Sequence, residues 1–105
     1  MAYYLVSAEV KENKLDELKE RLDKGELKKL SPYGKAMTYS LNNARYDPDS
    51  DRALWEEEDY CSPPLAQEKS EVLNDYFVDI REEQVPKGEG WKQIEDLPEL
   101  WQQVP

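Results

Sequence analysis

Histidine is absent from this 105-residue chain, and cysteine occurs once, as Cys61. Without histidine the chain cannot build a Ser-His-Asp or Cys-His catalytic site, a histidine-ligated zinc site or a histidine pH switch. A single cysteine excludes an intrachain disulfide. We expect Cys61 to be a small buried apolar residue rather than a nucleophile.

Long apolar runs are also missing. No stretch approaches about 18 apolar residues, so we expect no membrane-spanning helix. The first ten residues lack the basic start and the long apolar segment of a secretory signal. The net charge of −10 opposes binding to a phosphate backbone or to an anionic membrane surface. We therefore expect a cytoplasmic protein that binds neither nucleic acid nor membrane.

Motifs that identify a reaction or a cofactor are missing as well. The sequence has no glycine-rich phosphate loop, no GxSxG turn and no metal-spaced cysteines. Asp47, Asp49, Asp51 and Glu58 stand where an EF-hand calcium loop has ligands, but Arg52 replaces the glycine that its sharp turn needs. We expect no metal and no cofactor, and the sequence identifies no catalytic residue.

Apolar periodicity divides the first 85 residues into alternating strands and helices. The predicted order is strand, helix, strand, strand, helix, strand, which is typical of a ferredoxin-like α+β domain with an antiparallel βαββαβ sheet. One domain of this kind accounts for the length. The predicted strands are residues 3–10, 35–45, 52–60 and 78–85; the predicted helices run from an N-cap at Asn13 to Gly25 and from an N-cap at Ser62 through residues 64–76.

Residues 86–105 are predicted to form a C-terminal tail beyond the domain of residues 1–85. Residues 86–90 form a hinge-like linker, and Pro98 divides the rest of the tail into two short helical turns. The tail carries Trp91 and Trp101, and two tryptophans are not expected to stay in water. We expect the tail to pack on the domain or on a partner subunit.

Five polar residues are candidates for binding a small molecule. Ser7, Thr38 and Ser40 are predicted on strand faces opposite the apolar ones, where they line a cleft or pair across a dimer interface. Glu56 and Glu58 alternate on the third strand, which places their carboxylates roughly 6.5–7 Å apart. Two interpretations of the acidic run 56–59 stay open: a solvated strand end, or a site for ligand binding or proton transfer.

The element order carries a resemblance to a known superfamily. The segments Tyr3–Val6 and Cys61–Leu65, with the leucines of the first helix, resemble the dimeric α+β barrel proteins, which include YciI-like, muconolactone-isomerase-like and antibiotic-biosynthesis-monooxygenase-like groups. The resemblance is architectural and covers residues 3–85. It implies a homodimer whose sheets pack face to face around a pocket. The His–Asp pair of YciI-like proteins has no counterpart here, because the chain lacks histidine.

Three functions are compatible with these features. The first is a small-molecule-binding or regulatory protein without catalysis. The alternative is a cofactor-free isomerase, lyase or monooxygenase-like enzyme that uses carboxylate and tyrosine groups on a small organic substrate. The third is a purely structural interaction module. A buried carboxylate in a formed cavity would favour the enzyme, and an exposed acidic run would favour the interaction module.

Overall fold

The computed structural model describes residues 2–11, 13–59 and 63–103. The strands are β1 (Ala2–Val10), β2 (Arg45–Asp47), β3 (Arg52–Asp59) and β4 (Phe77–Val85). The helices are α1 (Leu15–Asp23), α2 (Gly34–Asn42), α3 (Ala66–Glu68), α4 (Asn74–Tyr76) and α5 (Glu89–Ile94). Short 3-10 helices span Leu27–Lys29 and Leu100–Gln103, and a π-helical segment, Lys69–Leu73, joins α3 to α4. Within these described ranges, no helix is long and apolar enough to span a membrane.

The four strands form one antiparallel sheet in the order β2-β3-β1-β4. The structure is therefore α+β, and its sheet and helices are compatible with a ferredoxin-like fold. The sequence predicted β1, β3 and β4 correctly, including the edge position of the charge-rich β4. The buried stripe predicted for the second helical region is also confirmed; its members are Leu65, Val72, Leu73, Tyr76 and Phe77.

The predicted strand at residues 35–45 is wrong, because most of that segment is the helix α2. Its apolar residues fit a two-residue period and a 3.6-residue period almost equally well. The burial decides between them: Met37 and Leu41 are buried, whereas Tyr39, which a strand would place on their face, is 60% exposed. Only the end of the predicted segment is extended, in the three-residue strand β2.

The two ends of α1 differ in how well the sequence predicted them. Gly25, with φ of 73°, ends the helix as predicted: its N–H bonds the Leu22 carbonyl and the Glu26 N–H bonds the Arg21 carbonyl. The predicted cap at Asn13 is wrong, because the N-cap is Lys14 and no side-chain cap bond forms. The predicted cap at Ser62 lies outside the described residues, as does Cys61.

The sheet has one helix-covered face and one open face. Val6 lies opposite Trp55 on the helix-covered face, and both are fully buried in the core. The core also contains buried side chains of α1 and α2 and of the helical region 65–76. We call the other side the open face; its residues on the two central strands are Tyr3, Leu5, Ser7, Glu9, Arg52, Leu54, Glu56 and Glu58. The short helix α5 covers only one end of it.

The C-terminal residues pack against the outer edge of the sheet at β2. The Tyr46 N–H bonds the Pro98 carbonyl at 2.8 Å, and the Leu100 N–H bonds the Ala44 carbonyl at 2.9 Å. The Trp101 indole donates to the Leu41 carbonyl at 2.7 Å, and Leu100 is fully buried. These contacts satisfy backbone groups that an edge strand would otherwise expose.

We predict that Leu100→Ala lowers the free energy of unfolding by about 2–5 kcal/mol, because it leaves a cavity between the tail and the core. Urea unfolding measures the change. Leu97→Ala is the matched control, since Leu97 lies in the same tail but is only half-buried. Equal losses in the two variants would contradict the role assigned to the burial of Leu100 in the core.

Candidate ligand-binding cavity

A cavity of about 360 Å³ lies between the open face, α2 and the linker that leads into α5. Its volume is within the range of small-molecule sites. The lining residues come from β1, β3, α2 and the segment 87–91: Tyr3, Ala36, Tyr39, Ser40, Glu56, Glu58, Lys87, Gly88 and Trp91.

Because β2 is only three residues long, α2 can pack against β3 beside this cavity. β2 pairs only with residues 52–54 of β3, so the rest of that edge of β3 is free for another partner. Ser40 fills this role, because its hydroxyl donates to the Glu56 carbonyl at 2.7 Å. The same helix presents Tyr39 at the cavity mouth. Ser40, predicted as a ligand-binding residue, therefore lines the cavity while its hydroxyl holds α2 against the sheet.

The Glu56 carboxylate fixes the opposite wall. One of its oxygens accepts the Gly88 N–H at 2.9 Å and the other accepts the Gly90 N–H at 2.7 Å. Both positions favour glycine: Gly88 has φ of 85°, and a Cβ at Gly90 would lie 2.8 Å from Glu56 Oε1 and displace that carboxylate. Glu56 is 4% exposed, so these bonds hold the start of α5 in a water-poor environment.

The cavity walls are aromatic, with one ammonium group, Lys87, and two carboxylates, of which that of Glu56 is bonded to backbone N–H groups. The Tyr3 hydroxyl donates to Glu58 Oε2 at 3.3 Å, and Lys87 Nζ lies 5.8 Å from the centre of the Tyr3 ring. The rings of Tyr39 and Trp91 meet edge to face, with centroids 6.3 Å apart and an angle of 83° between planes. The aromatic rings can stack on a flat ligand, and Glu58 and Lys87 can bond its positively or negatively charged groups.

Three of the five predicted binding residues, Ser40, Glu56 and Glu58, meet at this cavity, and two do not. Ser7 lies further along the open face, where its Oγ accepts from Arg52 Nη2 at 3.2 Å. Thr38 lies on α2 and lines a different pocket. The prediction that Thr38 and Ser40 lie on a strand face is wrong, because both residues are helical.

Tyr39, Lys87 and Trp91 are lining residues that sequence reasoning missed. The one usable signal is the segment Gly88-Glu89-Gly90-Trp91, in which two glycines precede an aromatic residue shortly after a strand. Such spacing is typical of a backbone that approaches another group closely.

A cluster of buried acids lies on the helix-covered face. Glu57 and Asp59 on β3 are 1% and 4% exposed, and Glu68 is fully buried. The Trp55 indole donates to Glu57 at 2.8 Å, and the Leu65 N–H donates to Asp59 at 2.6 Å. The interpretation of residues 56–59 as a solvated strand end is therefore wrong.

Burial favours the protonated forms of Glu57 and Glu68. Burial raises the pKa of Glu57 well above its ordinary value, and the neighbouring Glu68 raises it further, although the Trp55 hydrogen bond opposes the shift. Burial also raises the pKa of Glu68, and its hydrogen bond with Asp59 acts in the same direction. No group of acids in the described part of the chain has metal-binding geometry. The cluster faces away from the cavity.

We predict that Glu57→Gln raises the free energy of unfolding at pH 8. The raised pKa means that the folded state binds a proton more tightly than the unfolded state. The contribution of Glu57 to stability is therefore full below its ordinary pKa and is lost as pH rises through the higher folded value. The amide keeps the Trp55 bond without this loss.

Chemical denaturation between pH 4.5 and 8 measures the effect. The advantage of Glu57→Gln should shrink as pH falls toward 4.5. Glu83→Gln, at an exposed position of β4, removes the same charge and controls for the general repulsion of an acidic chain. A constant difference between the two variants at all pH values would contradict the assigned shift.

No protein-family model, no curated protein and no solved structure matches this chain. The resemblance to dimeric α+β barrel proteins therefore rests on the element order.

Proposed function

We propose that this chain is a small-molecule-binding protein without catalytic activity, and that its ligand occupies the cavity beside Glu56. The observation that carries the proposal is the composition of the walls. Tyr3, Tyr39 and Trp91 supply aromatic surface, while Glu58 and Lys87 supply opposite charges at one site. An apolar pocket with a few polar groups is the usual form of a ligand site.

The ligand class follows from these groups. A flat organic molecule can contact the Tyr39 and Trp91 rings, and its polar substituents can bond Glu58 or Lys87. The Glu56 carboxylate is not free for this role, because both of its oxygens accept backbone N–H groups. Glu56 instead keeps Trp91 in place for the ligand.

A homodimer of the dimeric α+β barrel type is the second part of the proposal. Leu5 and Leu54 are half-exposed on the open face, beyond the part that α5 covers. Arg81 and Glu83 lie on the same face of β4, opposite Ser7 and Leu5 of β1. A two-fold axis can place Arg81 of one copy opposite Glu83 of the other. Face-to-face packing would cover the apolar residues and close the cavity from outside.

A cofactor-free enzyme is the second candidate, and one observation favours it. The hydrogen bond between the Tyr3 hydroxyl and Glu58 places a proton donor beside a carboxylate in the cavity. It ranks second because the most buried cavity acid, Glu56, has its oxygens occupied by backbone groups.

Native mass spectrometry of the protein isolated from its own cells tests both parts. We expect a dimer that carries a defined extra mass. We expect Trp91→Ala to weaken retention of that mass about tenfold or more, because it removes one aromatic wall. Gln93→Ala is the matched control, since Gln93 is exposed on the same short helix and does not line the cavity.

Three outcomes would contradict the proposal. A bare monomer would remove the dimer and leave the cavity open to solvent. A bound mass that Trp91→Ala retains as well as Gln93→Ala does would place the ligand elsewhere. Turnover of a small organic substrate that Tyr3→Phe abolishes would favour the enzyme.

A further inference from the structure

A second pocket, of about 430 Å³, lies on the outer side of α2 and is distinct from the cavity beside Glu56. We propose that this α2 pocket binds a small anionic ligand that carries a phosphate or carboxylate group. Its lining residues are Lys28, Lys35, Thr38, Tyr39, Asn42 and Asn43. These side chains supply two ammonium groups, two amides and two hydroxyls, but no acid.

The surrounding sequence is unusual for so acidic a chain. The protein has 24 Asp and Glu residues and a net charge of −10, yet residues 27–46 contain neither Asp nor Glu. The same stretch contains Lys28, Lys29, Lys35 and Arg45. All six lining residues fall within this basic stretch of an acidic protein, which favours an anion in the pocket.

The packing of α2 on the preceding 3-10 helix builds the pocket. A Cβ at Gly34 would lie 2.2 Å from the Leu27 carbonyl oxygen and 2.9 Å from that of Lys28, so only glycine allows this approach. The approach brings Lys28 beside the first turn of α2. Lys35, Thr38 and Asn42 follow at helical spacings of three and four residues, which place them on one side of α2.

The two lysines of the pocket lack the ion-pair partners that other lysines of the chain have. Lys28 and Lys35 form no ion pair with any residue in the described ranges, whereas Lys24 and Lys69 pair with Glu20 and Glu82.

Thr38 supplies an independent observation. It is 2% exposed, and its hydroxyl has no hydrogen-bond partner within the described structure. A buried hydroxyl without a partner is destabilising, and an anionic oxygen bound in the pocket would satisfy it. The exposed lysines and the buried hydroxyl together form a set of donors that suits one oxyanion.

The α2 pocket and the cavity beside Glu56 can be tested separately, because they have almost no lining residues in common. Tyr39 is the one lining residue that the two sites share among those described. Substitutions at Lys28, Lys35 or Thr38 leave Glu58, Lys87 and Trp91 unchanged.

Titration of the full ¹⁵N-labelled chain with inorganic phosphate, at constant ionic strength, tests the site. We expect saturable NMR shifts at the amides of Lys28 and of residues 35–43. Lys28→Gln/Lys35→Gln should weaken phosphate binding about tenfold or more, because two charge-assisted contacts are lost. Lys14→Gln/Lys29→Gln removes the same charge from exposed positions outside the pocket and should bind almost as the unchanged protein does.

Thr38→Val separates a binding role from a structural one. It keeps the shape of the side chain, so the melting temperature without phosphate should stay equal or rise, while phosphate affinity falls. Tighter binding of phosphate than of succinate would assign a phosphate-bearing ligand, and the reverse would assign a carboxylate.

Shifts that do not saturate, or equal losses of affinity in the two double variants, would overturn the proposal. A Thr38→Val variant that binds phosphate as well as the unchanged protein would remove the hydroxyl from the site and overturn its assigned role.

Discussion

The carboxylate of Glu56 determines whether the open face of this sheet carries a cavity at all. Its two oxygens accept the N–H groups of Gly88 and Gly90, which holds the start of α5 against β3. Hydrogen bonds from backbone N–H groups to an ionised carboxylate are among the stronger ones in proteins, particularly where water is scarce. Through this anchor Trp91 reaches Tyr39, and the aromatic wall forms. Without it, that end of the open face would be a bare sheet surface.

The acidic residues 56–59 of β3 have different roles because alternate residues of a strand point to opposite faces of the sheet. Alternation places Glu56 and Glu58 on the open face and Glu57 and Asp59 on the helix-covered face. Four neighbouring carboxylates would repel one another if all were ionised on one surface. The strand places two of them on each face of the sheet. Backbone N–H groups stabilise the carboxylates of Glu56 and Asp59. Protonation, which the raised pKa values of Glu57 and Glu68 favour, reduces the repulsion between these two buried acids. One short segment thus supplies an anchor, a cavity carboxylate and a buried acid with a raised pKa.

Much of the fold could be predicted from periodicity, and the exceptions have physical reasons. β1, β3, β4 and the stripe from Leu65 to Phe77 followed from apolar spacing. The helix at residues 34–42 could not be predicted in this way, because its apolar residues fit the period of a strand as well as that of a helix. Only the tertiary structure, in which Met37 is buried and Tyr39 is exposed, distinguishes the two. The candidate ligand-binding cavity was likewise predicted only in part. Glu56 and Glu58 were identified from strand alternation, but the burial of Glu56 depends on glycines more than 30 residues away in sequence. No local pattern contains that contact.

Amide hydrogen exchange at Gly90 tests the central role of Glu56 most directly. In the unchanged protein we expect the Gly90 N–H to exchange slowly, since it is buried and bonded to Glu56 Oε1. Glu56→Ala removes both acceptors, so exchange at Gly90 should accelerate about tenfold or more while exchange at Val6 in the core stays the same. Equal protection of Gly90 in both proteins would contradict the account, because α5 would then be held to the sheet without this carboxylate.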